Sequence, residues 1–278
     1  MEDNSASQYF DECFIDYKAN WSNEHLHLGF WYDDTTTHED SLVNTVKEVL
    51  HHLELGNTDR VIDMGCGTGG TCRLIASLAG SRVSGITNSR VLYKHAISLT
   101  SKHQYDGLVN YILGDYLKNG FGDETFNKIF AIESACHASD IDLLLNEMFR
   151  ILLPGGRVVI ADYFLSKNDY NESNFRIHEE WLNGWGIESV STIDSFNEKM
   201  KDCGFTKIEF HGRTDAIRKS CKLMADNITK FLPKIVAQYA SGEISEIRVK
   251  NLTAAVKMND FLNQGLWQYG IVVADKPL

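Results

Sequence analysis

Proline is scarce, three in 278 residues, and no repeat or low-complexity segment interrupts the chain. That excludes collagen-like, polyproline and solenoid architectures and leaves little room for long disorder. No apolar run reaches the ~18–20 residues that a bilayer-spanning helix needs. Positive charge is short too: 27 Lys and Arg face 38 Asp and Glu, a formal net charge of -11. A broad basic stripe able to displace counterions from nucleic acid is therefore excluded. Cys13, Cys66, Cys72, Cys136, Cys203 and Cys221 form no CxxC pair and no zinc-ligand spacing. His25 and His27, or His51 and His52, lack a companion acid cluster, so no protein-bound metal is expected. The opening residues carry no basic-plus-apolar export signal. These features predict a cytoplasmic protein with reduced thiols and a small-molecule partner; a homo-oligomer is left open.

What is present is a core. Hydrophobic residues make up 43% and aromatics 11%, enough for one enlarged domain or a core with an insertion. Residues 1–53 read as a cap of two helical pieces around an aromatic stretch, Trp21 to Trp31, and residues 54–278 as the core. From Arg60 the hydrophobic period changes. Val61-Ile62-Asp63-Met64 reads as a strand ending in glycines, followed by a helix from Thr71 to Ala79. Strands follow at Arg82–Ile86, Val109–Leu113 and Lys128–Ile132, with a helix near Arg90–His103. A helix from Ile141 to Leu152 leads through Pro154-Gly155-Gly156 to a strand at Arg157–Ala161. Beyond Asp162 come a polar helix-prone stretch, a helix around Ser195–Cys203, a strand at Lys207–His211 and a last strand at Gly270–Ala274. The alternation predicts an α/β fold with a mostly parallel sheet covered on both faces. A helical insertion over 217–264, before the last strand, carries enough apolar side chains to pack on the sheet or to roof a pocket.

Asp63-Met64-Gly65-Cys66-Gly67-Thr68-Gly69-Gly70 stands at the strand-to-helix junction, where glycine lets backbone approach a ligand. Nicotinamide enzymes favour GxGxxG and an acid ending the second strand. Here the loop is GxGxG and the strand ends Gly85-Ile86-Thr87-Asn88-Ser89, without an acid. The acid before the loop and the one in Gly114-Asp115 instead suit a ligand with an amino-acid end and an adenosine end.

These residues resemble the class I S-adenosylmethionine-dependent methyltransferases, especially the sterol C-methyltransferase and tocopherol methyltransferase group. The resemblance rests on VIDMGCGTGG at 61–70, GIT at 85–87, GD at 114–115, AIESACHASD at 131–140 and LLPGG at 152–156, and covers Trp21 to Ala161. It implies a Rossmann-like seven-stranded fold and S-adenosylmethionine as cofactor. Asp63 would approach the methionine end, with Gly65, Gly67 and Gly69 shaping its passage; Thr87 and Asn88 would lie near the ribose. Asp115, with Tyr116 beside it, would meet the adenine. Leu92 stands where the family often has a glutamine.

Glu133 and His137 follow the fourth strand, and ligands in open α/β sheets sit beyond the carboxyl ends of the strands. The IESACHAS segment is similar to that of sterol methyltransferases, which points to methylation of an isoprenoid or prenyl diphosphate double bond. Carbon attack leaves a cation to be stabilised and a proton to be removed, work for which Glu133 and His137 are the candidates. Trp21, His25, Trp31, Trp181 and Trp185 are the candidate acceptor walls. Magnesium is expected only if the acceptor brings a diphosphate. Arg176, Arg213, Arg218, Lys219 and Lys222 could then contact it, although a solvated helix face is the plainer reading. Competing readings are N- or O-methylation of a small metabolite, a noncatalytic adenosine-nucleotide binding module and a nicotinamide oxidoreductase.

Overall fold

A computed structural model describes residues 5–56, 58–102, 107–167 and 170–278. The apolar run predicted as the first strand forms β1 (Arg60–Met64), an interior strand of a seven-stranded sheet. Beside it run β2 (Arg82–Thr87), β3 (Val109–Leu113), β4 (Phe126–Ile132) and β5 (Leu152–Leu165), and the sheet closes with β6 (Thr206–Gly212) and β7 (Trp267–Asp275). The order is β3-β2-β1-β4-β5-β7-β6, with β7 antiparallel to both neighbours and the other pairings parallel. Strand order reverses between β1 and β4, which opens a crevice at their carboxyl ends.

Side chains alternate across each strand, and the two faces build separate cores. Val61, Val83, Phe130 and Val159 join one core, together with residues of α2 (His38–Leu53) and α3 (Gly70–Ala79). Ile62, Ile86, Ile129 and Val158 join the other, under α5 (Ile141–Ile151) and α7 (Ile193–Asp202). The helices α1 (Ser5–Asn20), α4 (Arg90–Thr100) and α6 (Glu172–Trp185) complete the layers. The insertion before the last strand consists of α8 (Thr214–Ala240) and α9 (Glu246–Asn263). α9 lies tightly on α6, because a Cβ on Gly184 would come within 2.6 Å of the Lys250 carbonyl oxygen. α1 is fastened to the same layer where Tyr9 donates to Asn251 Oδ1 at 2.7 Å and Arg248 Nη2 pairs with Asp16 at 2.6 Å.

Two expectations about extent need correction. The strand predicted at Arg157–Ala161 runs from Leu152 to Leu165, because β7 keeps pairing with it from Asp162↔Gly270 to Leu165↔Trp267. Asp162 does not end it: its carboxylate is buried and accepts from the backbone amides of Cys136 (3.1 Å) and Tyr163 (2.8 Å). The polar helical stretch starts only at Glu172. The helix predicted to His103 ends at Thr100, and His103 lies outside the described residues.

Candidate active site

The glycine loop turns from β1 into α3 with positive φ at Gly65 (103°), Gly67 (50°) and Gly69 (74°), the left-handed region that glycine tolerates best. At Gly67 an added Cβ would meet only Leu26, at 3.6 Å, so this side of the loop borders open space. That space is a cavity of about 1200 Å³, mouth included, at the carboxyl ends of β1, β2 and β4. A strap over 21–31 closes one side. Thr68 Oγ1 donates to the Glu24 carbonyl at 2.5 Å, the buried Arg73 guanidinium pairs with the Glu24 carboxylate, and Leu28 N–H donates to Glu133 Oε1 at 2.8 Å.

Of the residues expected to hold the cofactor, Asp63, Gly65, Gly67, Thr87, Asn88, Asp115 and Tyr116 all line the cavity. Gly69 does not. It caps α3 and its carbonyl accepts from the Tyr111 hydroxyl at 3.2 Å. Asp63 is buried; among the described residues its carboxylate accepts one hydrogen bond, from the Cys72 thiol at 3.3 Å, and burial pushes its carboxyl up to about 7. A buried carboxylate with so little to hold it suits a cationic ligand group such as the ammonium of an amino acid. Asp115 accepts from Leu117 N–H at 2.8 Å and Tyr116 donates to the Ser134 carbonyl at 2.9 Å, so the opposite wall is fixed without a ligand. Donor set and shape fit S-adenosylmethionine.

Glu133 and His137 also line the cavity. Glu133 leaves β4 with φ +48°, an uncommon conformation for a residue with a side chain. Its carboxylate accepts from Leu28 N–H, from the Tyr269 hydroxyl at 2.9 Å and from the Tyr163 hydroxyl. Burial still dominates those donors and pushes it up to about 7. His137 lies 2.8 Å through Nδ1 from the Gly186 carbonyl, which can only accept, so Nδ1 carries the proton. Burial lowers its pKa, leaving a neutral ring with its lone pair on Nε2.

The aromatic expectations divide. His25 and Trp185 line the cavity, and burial lowers His25 to about 3. Trp21 lines a neighbouring pocket instead. Trp31 faces a surface groove, its Nε1 donating to Ser220 at 3.0 Å and its ring lying 3.6 Å under Lys219 Nζ. The extended strap sends Phe30 inward and so sends Trp31 outward. Trp181, one turn before Trp185 on α6, is fully buried against Tyr163 and Trp267 and does not line the main cavity. The sequence reading missed Tyr17, Tyr163 and Tyr269, while Met224 lines the cavity from the insertion expected to pack on the sheet or to roof a pocket. Tyr163 and Tyr269 are register partners on β5 and β7, and each lies just outside the strand ends expected from sequence; only the alternation continuing past those ends could have signalled them.

Among the described residues lining the cavity there is no arginine or lysine. Arg176 pairs with Glu172, Arg213 with Glu48, Arg218 with Asp215 and Lys222 with Asp226, while Lys219 covers Trp31. All six cysteines are free, and among the described residues no helix is long and apolar enough to cross a membrane.

Residues 62–160 match the family described as a methyltransferase domain. The chain is 32% identical over 214 residues to sterol 24-C-methyltransferase of Saccharomyces cerevisiae, a match covering 74% of this chain and 54% of that protein. It is 30% identical over 202 residues to the O-methyltransferase resE of Aspergillus sclerotiorum, covering 72% of this chain and 75% of that one. Thus the chain spans about half the length of the sterol relative and three quarters of the other. In three dimensions it overlays the [4+2]-cyclase SpnF with a TM-score of 0.81 at 19% identity, over 99% and 96% of the two chains. At that identity the likeness concerns fold alone.

Proposed function

The chain belongs to the class I S-adenosylmethionine-dependent methyltransferases, and from that premise we propose that it methylates a carbon–carbon double bond of a neutral, largely apolar isoprenoid. Glu133 carries this reading: a buried carboxylate with no cationic partner among its hydrogen bonds, pushed up to about 7 by burial against the opposing pull of three donors. S-adenosylmethionine supplies an electrophilic methyl group on a sulfonium whose departure is already easy, so the protein's contribution is positioning and charge control. Asp63 would receive the ammonium, Thr87 and Asn88 the ribose hydroxyls, and Asp115 the adenine amino group.

An alkene whose π pair forms the new C–C bond becomes a cation and returns to neutrality by losing a proton from an adjacent carbon. Glu133 as carboxylate stabilises that cation and accepts the proton. The faces of Phe10, Tyr17, Tyr163 and Trp185, which line the same cavity, add quadrupole stabilisation. Engagement of the five basic candidates elsewhere favours a neutral acceptor over a diphosphate, and hence a reaction without magnesium. The strap and Met224 of α8 would exclude water from the reacting atoms, which makes the N-terminal 53 residues and the insertion two sides of one cap. Similarity to a sterol 24-C-methyltransferase supports the carbon acceptor.

A second reading draws on His137, whose neutral Nε2 could take the proton of an acceptor hydroxyl, and on the similarity to an O-methyltransferase. Single variants separate the two. Glu133→Gln should lower kcat at least a hundredfold under the first reading, within the usual range for general-base loss, while S-adenosylhomocysteine affinity stays within about twofold. Wild-type turnover in a Glu133→Gln enzyme that binds cofactor normally would reject the first reading; a large loss confined to His137→Ala would favour the second.

A further inference from the structure

Beside the main cavity lies a second chamber of about 400 Å³, mouth included, and it is built entirely outside the sheet. Its walls come from α1 (Tyr17, Asn20), from Trp21 in the strap, from α6 (Trp185), α8 (Met224, Ile228) and α9 (Leu252, Ala255). Three side chains, Tyr17, Trp185 and Met224, line both spaces. They are the partition between the place where Glu133 sits and an apolar recess behind it.

The partition is unevenly fixed. Tyr17 is held by a 2.8 Å hydrogen bond to the Tyr9 hydroxyl, which itself donates to Asn251. Trp185 Nε1 donates to the Asn251 carbonyl at 3.2 Å, and Trp21, in the far wall, donates to the His27 carbonyl at 3.1 Å. Met224 is attached only by packing, on an unbranched thioether that changes rotamer easily. Three of the polar groups at the margin are already engaged, Asp16 by Arg248, Asn251 by Tyr9 and Asn20 Nδ2 by the Asp16 carbonyl, while Asn227 stands on an exposed position of α8 at the rim. The rest of the chamber wall is hydrocarbon and aromatic surface, separated from the main cavity by the three shared side chains.

We propose that this chamber is a subsite for the hydrocarbon tail of the acceptor, with Met224 as the gate that the tail displaces. The acceptor is therefore elongated, with its reacting double bond at Glu133 and several further carbons lodged between α1, α6, α8 and α9. Burying each further methylene in apolar surroundings is favourable, so affinity climbs with chain length until the chamber is full. This inference rests on the methyltransferase reading of the main cavity and refines its substrate class.

Linear prenyl alcohols of increasing length, geraniol, farnesol and geranylgeraniol, serve as probes in the presence of saturating S-adenosylhomocysteine, with binding read from tryptophan fluorescence and calorimetry. The expected result is a rise of at least tenfold in affinity from the shortest to the longest alcohol. Leu252→Trp, which fills the chamber from a half-buried wall residue touching the second space alone, should abolish that rise and leave S-adenosylhomocysteine affinity unchanged. Leu252→Phe is the milder fill if the tryptophan variant does not fold. Length-independent binding in the wild type, or length dependence surviving in a folded filled variant, overturns the subsite. Failure to bind S-adenosylhomocysteine at all instead overturns the methyltransferase reading, so the two failures are distinct.

Discussion

Asp63 and Glu133 are both buried and both pushed up to about 7, yet their surroundings differ in kind. Glu133 has three donors, whereas Asp63 has one thiol. The first is oriented by its donors; the second keeps acceptor capacity for the cationic ligand group proposed above. If an ammonium completes Asp63, S-adenosylhomocysteine binding should strengthen as pH rises from 6 to 8, by up to about tenfold as the carboxylate fraction grows. Asp63→Asn should bind weakly and flatten that pH dependence, which calorimetry at three pH values can read. Stability has the opposite sign. A carboxyl whose folded pKa is raised contributes stability that is present below its unfolded pKa and lost as pH rises through about 7, because the folded state holds the proton longer. Asp63→Asn should therefore raise the melting temperature at pH 8 more than at pH 5, by on the order of several degrees. Turnover should rise with pH through about 7 for Glu133 acting as base, and a profile that falls over that range would contradict the role.

At the scale of elements, the glycine loop was legible because its chemistry is local. Asp63 lies near the end of β1 and Gly65 and Gly67 directly follow it, so the strand itself carries all three to the cavity. Gly67→Val tests the loop directly: the side chain has room against Leu26 alone, at a backbone φ of +50°, and so enters the cavity. A folded Gly67→Val variant should lose S-adenosylhomocysteine binding by at least a hundredfold in a titration, and preserved affinity would remove the loop from the site. The strap was legible as part of an aromatic cap, but its fastening was not, since the contacts with Thr68, Arg73 and Glu133 lie far along the chain. Trp31 was misplaced for the same reason, as alternation in an extended segment sorts faces only once a partner surface is known. Glu24→Gln leaves Arg73 buried without a full counter-charge. It should cost about 1–2 kcal/mol and raise the acceptor KM more than it lowers kcat, both measurable by thermal unfolding and steady-state rates.

Across the whole molecule, the order of strands and helices followed from period and glycine punctuation, while strand lengths did not. β5 and β7 exceed their sequence-predicted ends because each supplies the other's hydrogen bonds from Asp162 to Leu165 and from Trp267 to Gly270. That extension positions Tyr163 opposite Tyr269 and gives Glu133 two of its donors, so the missed residues and the missed strand ends are one omission. The proposed acceptor space likewise depends on α1, α6, α8 and α9 meeting away from the sheet; the apolar content of the 217–264 insertion signalled a possible roof, but its meeting with α1 and α6 is a tertiary event. The central claim, methyl transfer to carbon of an elongated neutral isoprenoid, is tested most directly by the position of the label after incubation with isotope-methylated S-adenosylmethionine and a panel of prenyl alcohols and sterols, read by mass and NMR. The account predicts one added methyl on a former double-bond carbon, formed with stoichiometric S-adenosylhomocysteine and dependent on Glu133. Label found on oxygen or nitrogen, with none on carbon, would contradict it.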